Sequence, residues 1–188
     1  MAHLLAVSLL AVSLLAVSLL AAGCVTDRAV EEPAPAPTLS VAPEPPPATP
    51  PVAFGWTDLR GRPLSTASVR GRTTVLAFVA TYDVASQAQA RFLTALSKRH
   101  VPRINVGLVV LEQETNRPMV EAFVETLGID YPVVFADAAT LAGNGPFDGL
   151  HHVPSIVVLD REGHERARRL GLAKEEDLEE LVREVEAD

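Results

Sequence analysis

The chain has 188 residues, 16 Lys and Arg against 24 Asp and Glu, a formal net charge of −8, and one cysteine, Cys24. A single thiol excludes an internal disulfide, a multi-thiolate zinc site and a dithiol redox centre within one copy. The acidic balance argues against nucleic acid or an anionic lipid surface as a partner, because phosphate binding draws on clustered Lys and Arg. That acidity is local: residues 174–188 hold eight acids and two bases, so they carry −6 of the −8.

Residues 4–22 contain no charged side chain and run as a repeated Leu-Leu-Ala-Val-Ser block, closing on Ala21-Ala22-Gly23-Cys24. As a helix rising ~1.5 Å per residue, this run covers most of a ~30 Å hydrocarbon core. A period of five is too short for a repeat fold, so the segment reads as low-complexity apolar filler. Ala22-Gly23-Cys24 resembles the lipobox of bacterial lipoprotein signal peptides. The resemblance implies a signal peptide over 1–23, removed in the mature protein, with Cys24 as its acylated first residue. An uncleaved transmembrane anchor is the alternative; both tether the chain to a membrane and export it. Val25, where inner-membrane lipoproteins commonly carry aspartate, points to an outer-membrane address facing the periplasm.

From 24 to 52 the expected unit is the lipidated cysteine followed by a proline-rich linker, which holds nine of the fifteen prolines. Proline removes amide donors and favours extended geometry, so this stretch forms no core and spans up to roughly 80 Å at ~3.1 Å per residue.

Residues 53–188 suit one domain with a real core. Phe54–Ser65 reads as a β-hairpin. Thr74–Ala80 is apolar at nearly every position, the mark of a strand buried on both faces. Ala85, Ala88, Phe92, Leu93 and Leu96 recur at helical spacing up to His100. A second buried strand is predicted at Ile104–Leu111. The next helix carries Val120, Phe123, Val124 and Leu127, with Asn116 and Pro118 at its start and Gly128 at its end. Val133–Phe135 and Ile156–Leu159 are further strands, the latter turning through Asp160–Gly163 into a polar strand at His164–Leu170. Leu178, Leu181, Val182 and Val185 mark a last amphipathic helix, its acidic face taken as solvated. The alternation predicts an α/β fold, a mixed sheet covered by helices.

Three strings resemble the thioredoxin-like superfamily, in its membrane-tethered TlpA-like and AhpC/TSA redoxin branch: Asp58–Ser65 with Arg70-Gly71-Arg72; Gly128–Asp137; and Val153–Gly163. Their order over roughly 54–186 implies a thioredoxin-like fold with an N-terminal hairpin extension and a cis-proline at Pro154. It also implies a Cys-x-x-Cys pair at the helix start after the first buried strand, where the helix N-terminus stabilises a thiolate. Here Thr81-Tyr82-Asp83-Val84-Ala85-Ser86 stands in that place, with Asp83 and Ser86 at the two cysteine positions. A carboxylate does not attack a disulfide and a serine hydroxyl does not resolve one. Peroxide reduction by the peroxiredoxin route needs a thiolate as well.

No catalytic residue is therefore assigned, and Asp83 is read as a helix N-cap. Tyr82, Asp83, Ser86, Val153 and Pro154 are the candidate binding residues, because in redox-active relatives the backbone beside the cis-proline pairs with an extended peptide. His151 and His152 are the candidate metal ligands near Asp83, although neighbouring residues on extended chain face opposite ways. His100 and His164 are read as surface residues. No cofactor is expected. The leading expectation is a lipid-anchored binding or scaffold module of the cell envelope, with a peptide or envelope protein as partner. The alternatives are an oxidoreductase working through a partner's thiols and a periplasmic metal carrier.

Overall fold

The computed structural model describes residues 50–187. The signal peptide, Cys24 and the linker as far as residue 49 lie outside them.

The first described elements form a small hairpin, β1 (Gly55–Thr57) and β2 (Pro63–Ser65), followed by the single-turn helix α1 (Thr66–Val69). Ser65 caps α1 through a reciprocal capping box with Ser68. The main sheet is built from β3 (Thr74–Val79), β4 (Asn105–Val110), β5 (Val133–Phe135), β6 (Ser155–Leu159) and β7 (Glu165–Leu170), in the order β5-β4-β3-β6-β7. β3, β4 and β5 are mutually parallel; β6 runs antiparallel to β3, and β7 antiparallel to β6.

The apolar runs account for the layering. Every residue of β3 and β6 is buried, which requires cover on both faces. On one face Val75, Ala77, Leu108 and Val158 join Leu93, Leu96, Val120, Phe123, Leu178 and Val182. These come from α2 (Val84–His100), α3 (Arg117–Leu127) and α5 (Glu175–Ala187). On the other face Leu76, Phe78, Val109 and Val157 meet Trp56, Leu64 and Phe147. Phe147 has its ring centroid 5.3 Å from Phe78 and 5.8 Å from Trp56, so this aromatic cluster pins the long β5–β6 connection onto the sheet. Helix α3 ends where Gly128 adopts φ +60°, the left-handed conformation that closes a helix at least cost in glycine.

Two expectations are corrected here. His100 and His164 are half-buried rather than free on the surface: His100 Nε2 lies 2.7 Å from Glu179, and His164 Nδ1 lies 2.9 Å from Asp160. The acidic face of α5 is also more than solvated, since Glu175 and Glu179 pair with Arg99 at the end of α2, and Glu186 with Arg103 just beyond it. Three single-turn elements escape the sequence pattern altogether: α1, a 3-10 turn at Glu114–Asn116, and α4 (Ala138–Leu141).

Asp160 ties the β6–β7 turn. Its Oδ1 accepts the amides of Glu162 and His164, and its Oδ2 accepts Arg166 Nε at 2.7 Å. Burial alone would raise its pKa, but these hydrogen bonds and charges outweigh it and hold the group at about 2, below the ordinary 3.8. A folded-state value depressed in this way gives stability that is complete above about pH 4 and is lost as the pH falls toward 2. Measured by urea unfolding, the native chain is expected to lose about 2 kcal/mol more than Asp160→Asn across that window.

Candidate functional site

The site lies where β3 runs out into α2. The chain turns through Ala80–Asp83, with the Asp83 amide donating to the Ala80 carbonyl at 3.2 Å, and the helix begins at Val84. Asp83 is its N-cap: Oδ2 accepts the Ser86 amide at 2.6 Å, satisfying one of the donors that every helix start leaves open. Ser86 is fully buried and its Oγ accepts the Ala80 amide at 3.2 Å. Asp83 and Ser86 thus spend their polar atoms closing the loop on which they stand.

The loop is held from below by a residue the sequence reading passed over. Glu112 lies two residues past the end of β4; it is buried and accepts both the amide and the hydroxyl of Thr81, at 2.6 and 2.7 Å, and the Asn116 amide group at 2.9 Å. Burial pushes its pKa up, but the three hydrogen bonds together pull it below the ordinary carboxylate value, so it stays ionised. An acid closing the apolar run Val106–Leu111 was the available signal.

Facing this loop is the chain that leads into β6. Phe78 pairs with Ser155, and continuing that antiparallel register sets Pro154 opposite Val79 and Val153 opposite Ala80. The Val153–Pro154 bond is cis. The Pro154 carbonyl is taken by the Gly171 amide, whereas Val153 is half-buried and its amide and carbonyl take no partner among the described residues. Around this free backbone the surface is apolar: Tyr82 is 77% exposed and Val84 78%. A cavity of about 220 Å³ opens beside them, lined by Thr81, Gln87, Met119, Phe123 and Leu127. Val84 was missed in the sequence because it reads as the first apolar residue of a helix.

The structure brings Tyr82, Asp83, Ser86, Val153 and Pro154 to one end of the sheet. It does not gather the candidate metal ligands. His151 and His152 are exposed, and the His151 ring lies over Gly143, where a Cβ would come within 2.0 Å of it. Among the described residues the group with ligand atoms within 4.8 Å of one another is Asp160, Glu162 and His164, and it includes neither histidine nor Asp83. Both oxygens of Asp160 there already serve the turn, so the trio is explained by the fold.

No protein-family model and no curated protein matches the chain. Solved structures do. A thiol:disulfide interchange protein of the thioredoxin family from Chlorobium tepidum matches at 26% identity and a TM-score of 0.63, covering 73% of this chain and 95% of that one. StoA from Bacillus subtilis matches at 20% identity and a TM-score of 0.57, over 69% and 96% of the two chains. A secreted disulfide oxidoreductase of Mycobacterium tuberculosis matches at 18% and 0.57, over 73% and 97%. Among the described residues no helix is long and apolar enough to cross a membrane. With the sheet order and the cis-proline loop, these likenesses give the described residues a thioredoxin-like fold, the α/β architecture that their sequence pattern predicts.

Proposed function

We propose that this chain is a lipid-anchored protein of the cell envelope whose thioredoxin-like domain has lost thiol chemistry and kept the surface that holds an extended peptide. One observation carries this reading. At the helix start after β3, Asp83 and Ser86 are committed to backbone amides, while the free Val153 backbone and the exposed Tyr82 and Val84 remain beside them. An extended segment pairing with Val153 would gain main-chain hydrogen bonds, and its side chains would cover Tyr82 and Val84. The only cysteine, Cys24, belongs to the lipobox-like segment, and its role in this reading is attachment to the outer membrane with the domain facing the periplasm.

The test is chemical. The full chain is expected to give no insulin reduction and no peroxide consumption above the background set by the reductant, and Cys24→Ser is expected to change neither. Turnover that survives Cys24→Ser would overturn the reading in favour of an oxidoreductase that borrows thiols from a partner, the activity for which the Chlorobium tepidum neighbour is named.

A further inference from the structure

Within a net charge of −8, one corner of the domain collects basic side chains that no acid pairs. The end of the sheet opposite the site is formed by the starts of β3 and β4 and the β6–β7 turn. Here Arg70 and Arg72 flank Gly71, whose amide donates to the Arg161 carbonyl at 2.8 Å, so three arginines share one corner. Arg72 and Lys98 line a neighbouring hollow of about 470 Å³. Arg70, Arg72, Lys98 and Arg161 are all exposed, and none of them takes part in an ion pair among the described residues. Two acids at this end are taken, Asp160 by Arg166 and His164 and Glu186 by Arg103, and Glu186 and Glu162 line a hollow with Arg161. Glu162, Asp130 and Glu184 are exposed and take part in no ion pair among the described residues. Toward the site end stand Asp83, Glu114, Asp137 and Asp148, and the arginines there are held in ion pairs: Arg117 by Glu114 and Glu121, Arg168 by Glu165 and Arg169 by Asp177.

The tether joins at the basic end. The Val52 amide donates to the Gly163 carbonyl at 2.9 Å and the Thr66 hydroxyl donates to the Val52 carbonyl at 2.7 Å, fastening the chain between α1 and the β6–β7 turn. We infer that this end, carrying Arg70, Arg72, Lys98 and Arg161, docks on the anionic phospholipid surface to which the chain is anchored, so that the Tyr82–Val153 site points away from it. The inference rests on the anchoring reading above. Each basic residue near an anionic bilayer strengthens association about fivefold, and the attraction fades beyond a Debye length. The tether keeps the surface within reach, so weak attraction suffices to set orientation.

The experiment uses the full chain reconstituted in phosphatidylglycerol–phosphatidylethanolamine vesicles carrying a nitroxide headgroup quencher. A fluorophore is attached either at Ala67→Cys, on the exposed side of α1, or at Val84→Cys, at the site. The expected result is several-fold stronger quenching at position 67 than at 84. The difference should vanish in about 0.5 M salt, in phosphatidylcholine vesicles, and with Arg70→Glu plus Arg72→Glu. Equal quenching at the two positions in phosphatidylglycerol vesicles, with the chain still floating with them, overturns the docking and leaves anchoring intact. A chain that does not float with the vesicles overturns both.

Discussion

Cysteines at both degenerate positions, Asp83→Cys with Ser86→Cys, are expected to turn the domain into a disulfide reductase. Residues three apart in the first turn of a helix have Cα atoms close enough for a disulfide. Ser86 is fully buried with its Oγ against the Ala80 amide, a setting that a cysteine side chain fits with little change of volume. The thiol at position 83 would stand where Asp83 now accepts the Ser86 amide, and a donor aimed at that point favours a thiolate. Lowering a thiol from its free value to near neutrality raises the thiolate fraction about tenfold at pH 7. The cost is the lost cap, about 1 kcal/mol, which urea unfolding measures separately. The double variant should precipitate reduced insulin well above the background rate that the native chain shows, with thiol titration showing reversible oxidation. A variant that forms the disulfide yet leaves insulin untouched would mean that more than two sulfur atoms has been lost from the site.

The second large effect is expected at Glu112. Substitution by alanine removes three accepted hydrogen bonds and leaves the amide and hydroxyl of Thr81 buried without partners, costing about 3 kcal/mol in urea unfolding. Glu112→Gln should cost less. Its carbonyl still accepts from Thr81, but its amino group then faces the Asn116 donor. Because the folded-state pKa of Glu112 is depressed, its contribution is present above its ordinary value of 4.5 and is lost as the pH falls through the folded value. The gap between native and Glu112→Gln chains should therefore narrow in acid. Amide exchange at Thr81 should quicken in both variants, and a gap constant with pH would show that the carboxylate charge does not hold the loop.

The parts of this fold that are legible in the sequence are those whose cause is local. β3 and β6 read as strands because burial on both faces demands unbroken apolar runs, and α3 reads to its last residue because Gly128 supplies the left-handed cap. The turn helices α1 and α4 carry no period, since four residues complete barely one revolution. The partners of His100 and Glu112 were hidden for another reason. Glu179 lies 79 residues from His100, and Thr81 lies 31 from Glu112, so only the closed sheet brings them together. At the site, the helix cap at Asp83 was visible from spacing, whereas the Val153 backbone is set against the loop only once β6 is paired with β3, and the cavity forms only where Thr81 and Gln87 meet α3.

The two edges of the sheet differ. β5 is covered, because Leu59 donates its amide to Val133 and Asp58 bridges to Val134. β7 is open, and its sequence Glu-Arg-Ala-Arg-Arg-Leu keeps Arg166, Arg168 and Arg169 exposed along it. An uncovered strand is a template for a neighbour's strand, and chains crowded on one two-dimensional surface meet edge-on far more often than chains diluted in a volume. Each of these arginines is held by an acid, Arg166 by Asp160, Arg168 by Glu165 and Arg169 by Asp177, and charged side chains along an edge blunt it as a template. If the domain is held at a bilayer as proposed, this charged edge would hinder strand-to-strand pairing between crowded copies.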